Sequence, residues 1–190
     1  MADLRPAGRA GQIVTAAREI LEKDGVAAMS MRAIAERVGI RAPSLYKHFP
    51  DKATVENALV ALGMAETADR LAAVGATEPG LLPLARAYRE HALAHPHMYR
   101  LTAARPLPRH ALPEGLEERT AAPLHRAVGG DPDIARATWA FAHGMVMLEL
   151  DGRFPPGADL DTAWAQGCTA FEAAAAARHR SVDAPSEHLH

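Results

Sequence analysis

Apolar residues recur at helical spacing along the chain, and glycines, prolines and capping side chains divide that pattern into about nine helices. Ile13, Ala16, Ala17, Ile20 and Leu21 form one stripe, which predicts a helix over residues 7–23. Asp24-Gly25 ends it, because glycine tolerates the left-handed position after a helix. Ser30 is a capping hydroxyl for a second helix over 31–38, with Ile34 and Val38 turned inward. Gly39 closes that helix. About three residues later a third, short one runs from Ala42 or Pro43 to His48, with proline acceptable in its first turn. Leu45 and Phe49 supply its apolar face.

From Asp51 a long helix is expected, with Val55, Leu59, Leu62 and Ala65 on one side, until Thr77-Glu78-Pro79-Gly80 interrupts it. A helix over 81–94 is broken by His95-Pro96, and a short one over 98–104 follows. Pro106, Pro108 and Pro113 mark an irregular stretch. A helix over 114–128 is stopped by Gly129-Gly130. Asp131-Pro132 is a strong start signal, a capping acid followed by proline, for a helix to Leu150. Asp151-Gly152, Pro155, Pro156 and Gly157 form a loop. The last helix runs over 160–178, and residues 179–190 read as a frayed polar tail.

Composition strengthens this reading. The chain holds 42 alanines in 190 residues and few β-branched or aromatic strand formers, so an all-α fold is expected. Charge then divides it. Net charge is −2, but residues 1–55 carry +3 and the remainder −5, a basic head on an acidic body. That distribution suits a DNA-binding module joined to a partner domain that does not bind DNA. No apolar window reaches the ~18 residues a membrane span needs, and MADLRPAGRAG lacks the apolar core of a secretory signal. Cys168 stands alone, which excludes an internal disulfide and fits a reducing compartment. These features predict a cytoplasmic protein.

Two short helices joined by a tight glycine turn, with a support helix before them, have the layout of a helix-turn-helix. The same layout also serves three-helix packing units with no DNA role. The outward residues separate the two readings. Ser44, Tyr46, Lys47, His48 and then Lys52 present a hydroxyl, a phenol, ammonium groups and an imidazole, all able to donate to phosphate oxygens. Arg41 and Ala42 lie at the helix start, the end that enters the major groove in such motifs.

The run Ser30-Met31-Arg32-x-Ile34-Ala35-x-x-Val38-Gly39-Ile40, followed by Ser44-Leu45-Tyr46-Lys47-His48-Phe49-x-x-Lys52, closely resembles the TetR family of one-component regulators. The resemblance covers residues 9–69 and implies a DNA-binding domain there, with the helix-turn-helix at about 32–51. It implies a helical regulatory and dimerisation domain over 70–178. It makes Tyr46, His48 and Lys52 phosphate contacts and turns Arg41, Ala42, Pro43 and Lys47 to the groove. It places Ser30, Arg32 and Ser44 in the same DNA-binding set. Many members have Ser or Thr where Arg41 stands, so the third helix has a weaker cap. Arg41 reaches either a guanine or a phosphate.

The last two helices are apolar over more than one stripe, and a wide apolar face calls for a second partner. Ala163, Ala165, Gly167, Ala170, Ala173 and Ala174 allow close helix approach, as does Gly144. Ordinary internal packing is one explanation. The family resemblance implies the other, a four-helix interface in a homodimer, with Val146, Leu150, Trp164, Cys168 and Phe171 as candidate contacts. Dimerisation has a physical reason, since two-fold symmetry doubles a short recognition site into a palindrome. His95-Pro96-x-Met98-Tyr99-Arg100-Leu101 and Trp139-x-x-x-His143-Gly144 also resemble a regulatory-domain subtype named for its Trp-His-Gly signature.

Met98, Trp139, Phe141, His143 and Met147 are candidate pocket residues for a small, mostly apolar effector, although such stripes also make plain core. His91, His95 and His97 suggest a metal, but Pro96 breaks the helical spacing and no nearby Cys or acid completes a set. Cys168, set among small residues, reads as a buried hydrophobe in preference to a redox sensor. Glu149 and Asp151 are not on one helix face and imply no acid–base pair. No nucleophile–base pair, phosphate loop or cofactor fingerprint is present, so an enzyme on a helical scaffold is disfavoured and no cofactor is expected. An effector-independent architectural protein would need strong overall basicity. The leading expectation is a dimeric repressor of double-stranded operator DNA, released by an effector; activation is left open.

Overall fold

A computed structural model describes residues 8–103 and 105–183. Their regular elements are all helical: α1 Gly8–Asp24, α2 Met31–Val38, α3 Ala42–Tyr46, α4 Lys52–Thr77, α5 Leu81–Ala94, α6 Pro96–Ala103, α7 Leu116–Ala127, α8 Pro132–Leu150 and α9 Leu160–Asp183. A 3₁₀ turn, Arg109–Ala111, lies in the proline-rich stretch before α7. The starts and stops follow local chemistry. Asp51 Oδ1 accepts from the Thr54 amide at 2.7 Å beside the start of α4. Asp131 Oδ1 accepts from the amides of Asp133 and Ile134 at α8. Asp159 Oδ1 accepts from that of Thr162 at α9. These bonds satisfy amides that have no partner inside the helix.

Two elements depart from expectation. Pro96 opens α6 instead of merely ending α5, because a proline ring fits a first helical turn whose amides are free. α9 continues five residues beyond the expected end at 178, to Asp183. The remaining tail, from residue 184, lies outside the described residues, as does Ala7 at the expected start of α1.

The chain forms two compact units. One takes the chain through Asp69 together with His91–Thr120; the other takes Arg70–Glu90 and the chain from Ala121 onward. The first division between the units falls at Asp69/Arg70. The return of His91–Thr120 to the first unit was not foreseen, and its cause is burial. Met98 and Leu101 of α6 enter the same core as Ile13, Leu21, Met29, Ile34, Leu45, Val55 and Leu59. Val38, expected to be fully buried, is half-exposed at the rim of that core.

In the second unit, Leu71, Leu84 and Ala87 form a small aliphatic core. Arg89 of α5 ties the end of α8 to the start of α9. Its guanidinium donates through Nε and Nη2 to Glu149 and through Nη1 to Asp161, at 2.6–3.1 Å. Those bonds, chiefly the ones to Glu149, raise the Arg89 pKa and hold the charge in place.

Candidate nucleic-acid interface

The candidate interface is built outward from α2. Ser30, extended at φ −114° and ψ 157°, accepts from the Ala33 amide at 3.1 Å through its hydroxyl. Gly39 then takes φ +73°, a left-handed turn that suits a residue without Cβ. The Gly39 and Ile40 amides donate back to the last turn of α2, and the chain re-enters helix at Ala42. Arg41 is extended and its side chain makes no capping hydrogen bond, as its identity implied.

α3 is five residues long, yet Lys47 remains in the right-handed helical region, and the His48 and Phe49 amides both donate to the Leu45 carbonyl. One further turn therefore continues past the helix. Leu45 is fully buried and Phe49 nearly so, in the core that also holds Ile34 and Met29. Anchoring two positions inward turns the others outward. Arg41, Ala42, Pro43, Tyr46, Lys47 and His48 are all exposed, and Ser44 is half-buried. Tyr46, at 49% exposure, is among the most exposed large side chains.

The remaining DNA-binding candidates are not all free. The Ser30 hydroxyl is engaged as the α2 cap. Arg32 donates 2.8 Å to Glu36 one turn along, and this bond raises its pKa. That pair is well exposed, so water screens it and it holds Arg32 only weakly. Lys52 is committed further, since its ammonium donates 2.9 Å to the Val26 carbonyl and sits 3.6 Å from Glu56. Glu56 is also bonded by Arg105. The Lys52–Glu56 spacing of four residues is visible in the sequence; the Val26 and Arg105 partners have no local signal.

Residues 13–59 match the family described as bacterial regulatory proteins of the tetR family, and residues 81–171 match the tetracyclin repressor-like C-terminal domain. The chain belongs to the TetR family. Over 161 residues it is 29% identical to the uncharacterised HTH-type transcriptional regulator Rv0681 of Mycobacterium tuberculosis, covering 79% of this chain and 72% of that protein. It is 32% identical over 90 residues to the HTH-type transcriptional regulator YobS of Bacillus subtilis, covering 46% of this chain and 47% of YobS. The chain thus spans about half the length of that relative. A tetR-family transcriptional regulator from Streptomyces coelicolor shares the fold, with a TM-score of 0.67 at 23% identity over 87% of this chain and 83% of that one. These families and relatives are transcriptional regulators, not enzymes.

The TetR regulatory region arranges its candidate pocket residues in unexpected ways. Met98 is buried in the core of the first unit and packs against Gly63, where a Cβ would come within 3.2 Å of its Cγ. Trp139, Phe141, His143 and Met147 all lie on α8, in the second unit. Trp139 is 57% exposed and stacks on His143, with ring centroids 5.9 Å apart. Phe141, about 200° around the helix from Trp139, packs instead on Trp164 and Phe171 at 5.6 and 5.7 Å. Its ring fills the space beside Gly167, where a Cβ would meet it at 2.2 Å. Trp139, His143 and Met147 leave α8 within about 80° of one another, whereas Phe141 turns toward α9. Glu149, Phe154, Pro155, Leu160 and their neighbours form an open cleft of about 240 Å³, and none of the expected pocket residues lines that cleft.

The interface candidates differ in how much surface they leave exposed. Val146, Trp164 and Cys168 are buried within the single chain, so they have little surface left for a second copy. Leu150 and Phe171 are half-buried. Inward packing claimed the largest of these side chains and left Trp139 and Leu148 on the outside. Burial also pushes the Cys168 thiol up to about 11, so it is a protonated hydrophobe at neutral pH. Gly167 is the glycine that close helix approach requires. A Cβ at Gly144 would meet nothing within 4 Å. Of the three histidines considered for metal, His91 and His95 meet edge-on at 5.1 Å, and His95 Nδ1 lies 3.3 Å from Glu22. His97 lies against Gly25. Among the described residues no three His, Cys, Asp or Glu side chains gather as a metal set.

Proposed function

We propose that this chain is a cytoplasmic repressor that binds palindromic operator DNA as a homodimer and is released by a small, mostly apolar effector. The observation that carries the reading is the exposed face of α3 and the turn after it. Arg41, Tyr46, Lys47 and His48 project there from a segment pinned by buried Leu45 and Phe49. Rigid anchoring with outward donors is what a groove-reading element needs. Tyr46, His48 and Lys52 are assigned to phosphates, and Arg41, Ala42, Pro43 and Lys47 to the groove.

The dimer reading is supported by exposed Leu148 and by the uncovered side of Gly144, which share one face of α8. The signature Trp139-x-x-x-His143-Gly144 supports the Trp-His-Gly subtype, with the stacked Trp139–His143 pair presented outward. The effector reading draws support from Trp164. Its indole Nε1 is buried with no acceptor among the described residues, so a ligand oxygen or a water beside it would be stabilised.

Selection of binding sites from a random duplex library by the purified chain tests the proposal. Two inverted half-sites about one helical turn apart are expected. Failure to enrich any sequence would sink the operator reading. Effector and operator affinities must oppose each other by about 1–3 kcal/mol of coupling. A compound that binds the chain and leaves operator affinity unchanged is not the effector.

A further inference from the structure

Lys52 opens α4, and its ammonium donates 2.9 Å to the Val26 carbonyl in the turn between α1 and α2. The same nitrogen lies 3.6 Å from Glu56 Oε1, one helical turn along. The Glu56 side chain is only 9% exposed, and its other oxygen accepts from Arg105 Nη1. A carboxylate so far from water needs a cation. Here two cations serve one carboxylate. Arg105 follows α6 and comes from 49 residues downstream, yet all four residues belong to the first unit.

We propose that Glu56 is a positioning residue that sets how strongly Lys52 grips DNA, with Arg105 as its control. Lysine has three donors, and the Val26 carbonyl takes one. When Arg105 neutralises Glu56, the rest of the ammonium is available to a phosphate. When Arg105 withdraws, the buried carboxylate draws Lys52 toward itself and away from DNA. Arg105 precedes Pro106 and Pro108 in an irregular stretch, so a shift of that backbone is read out at Lys52 through one carboxylate. The inference rests on Lys52 being a phosphate contact and adds a group that touches no DNA.

Fluorescence anisotropy of the full chain on a labelled duplex of random sequence, titrated with salt, tests this, because phosphate contacts do not depend on sequence. Arg105→Gln is expected to weaken binding about eightfold near 0.1 M salt and to lower the salt slope by about 0.9, the contribution of one phosphate. Glu56→Gln should bind as tightly as the wild type or tighter. The double variant R105Q/E56Q should recover wild-type affinity. Arg105→Gln should change nothing further in a Lys52→Ala background. Arg105→Lys, which keeps the cation, should preserve most of the binding and guards against a folding defect in Arg105→Gln. Additive losses in the double variant, or wild-type binding by Arg105→Gln, would overturn the inference alone. A wild-type chain that binds no duplex at any salt overturns the DNA-binding reading beneath it.

Discussion

The two units of this regulator spend their apolar residues differently. In the first, Ile13, Leu21, Met29, Ile34, Leu45, Val55 and Leu59 are all fully buried in one aliphatic core. In the second, half-buried Phe141 of α8 meets buried Trp164 and half-buried Phe171 of α9, and Trp139 and Leu148 stay exposed. The first has enough inward positions to fix a five-residue helix whose outer face is wholly polar or small. Both units also leave large apolar side chains exposed, Val26, Tyr46 and Leu93 in the first and Trp139 and Leu148 in the second, where both lie on α8. A closed core suits a head proposed to hold a groove-reading geometry, and exposed apolar area on α8 suits a body proposed to meet a second copy.

The largest test of that contrast is Leu45→Ala. It should destabilise the chain by about 2–5 kcal/mol in denaturant titration, because the cavity lies in a closed core. A loss below 1 kcal/mol would show a core that collapses easily and erase the difference between units. Next is the glycine pair of the second unit. Gly167→Ala forces the Phe141 ring to move and should cost about 1–3 kcal/mol. Gly144→Ala meets open space in the chain and should be neutral or stabilise by about 0.5–1 kcal/mol, as alanine favours helix. A loss at Gly144 that grows with protein concentration would locate a second copy against it.

Ser30→Ala removes the α2 cap and should cost roughly 1 kcal/mol, read as a fall in melting temperature with operator affinity following it. The smallest effect distinguishes the caps by pH. Backbone amides and, at Asp131, Arg178 hold the Asp131 carboxyl below its ordinary range, with the Ile134 amide the largest cause. The Asp51 carboxyl is lowered by Thr54 and that of Asp159 by Thr162. A folded pKa below the unfolded value means stability present above about 4 and lost as pH falls through the folded value. Hydrogen exchange below that pH should quicken in the first turns of α4, α8 and α9. The first turn of α2, capped by a neutral hydroxyl, should not respond. Equal acceleration in α2 would contradict the assignment of these caps.

What was legible in the sequence was local. Ser30, Gly39, Asp131 and Pro132 act on amides and dihedrals within a few residues of themselves, so the ends of α2 and the start of α8 followed from chemistry alone. The alternation of buried Leu45 and Phe49 with outward Tyr46, Lys47 and His48 is likewise a property of helical spacing. The body was less legible because α8 carries apolar residues nearly all round. Nothing local says whether Trp139 or Val146 turns inward, and the structure buries Val146.

By itself the sequence determined an all-helical chain, the bounds of most helices, and the donors facing outward from the third. Those depend on propensity, capping and period, which act over one or two turns. Only the tertiary structure decided that α6 joins the first core, that Phe141 takes the space beside Gly167, and that Lys52 is held by Val26 with Glu56 and Arg105 beside it. Each depends on groups distant in sequence competing for the same volume or charge, and such competition is settled when the helices pack.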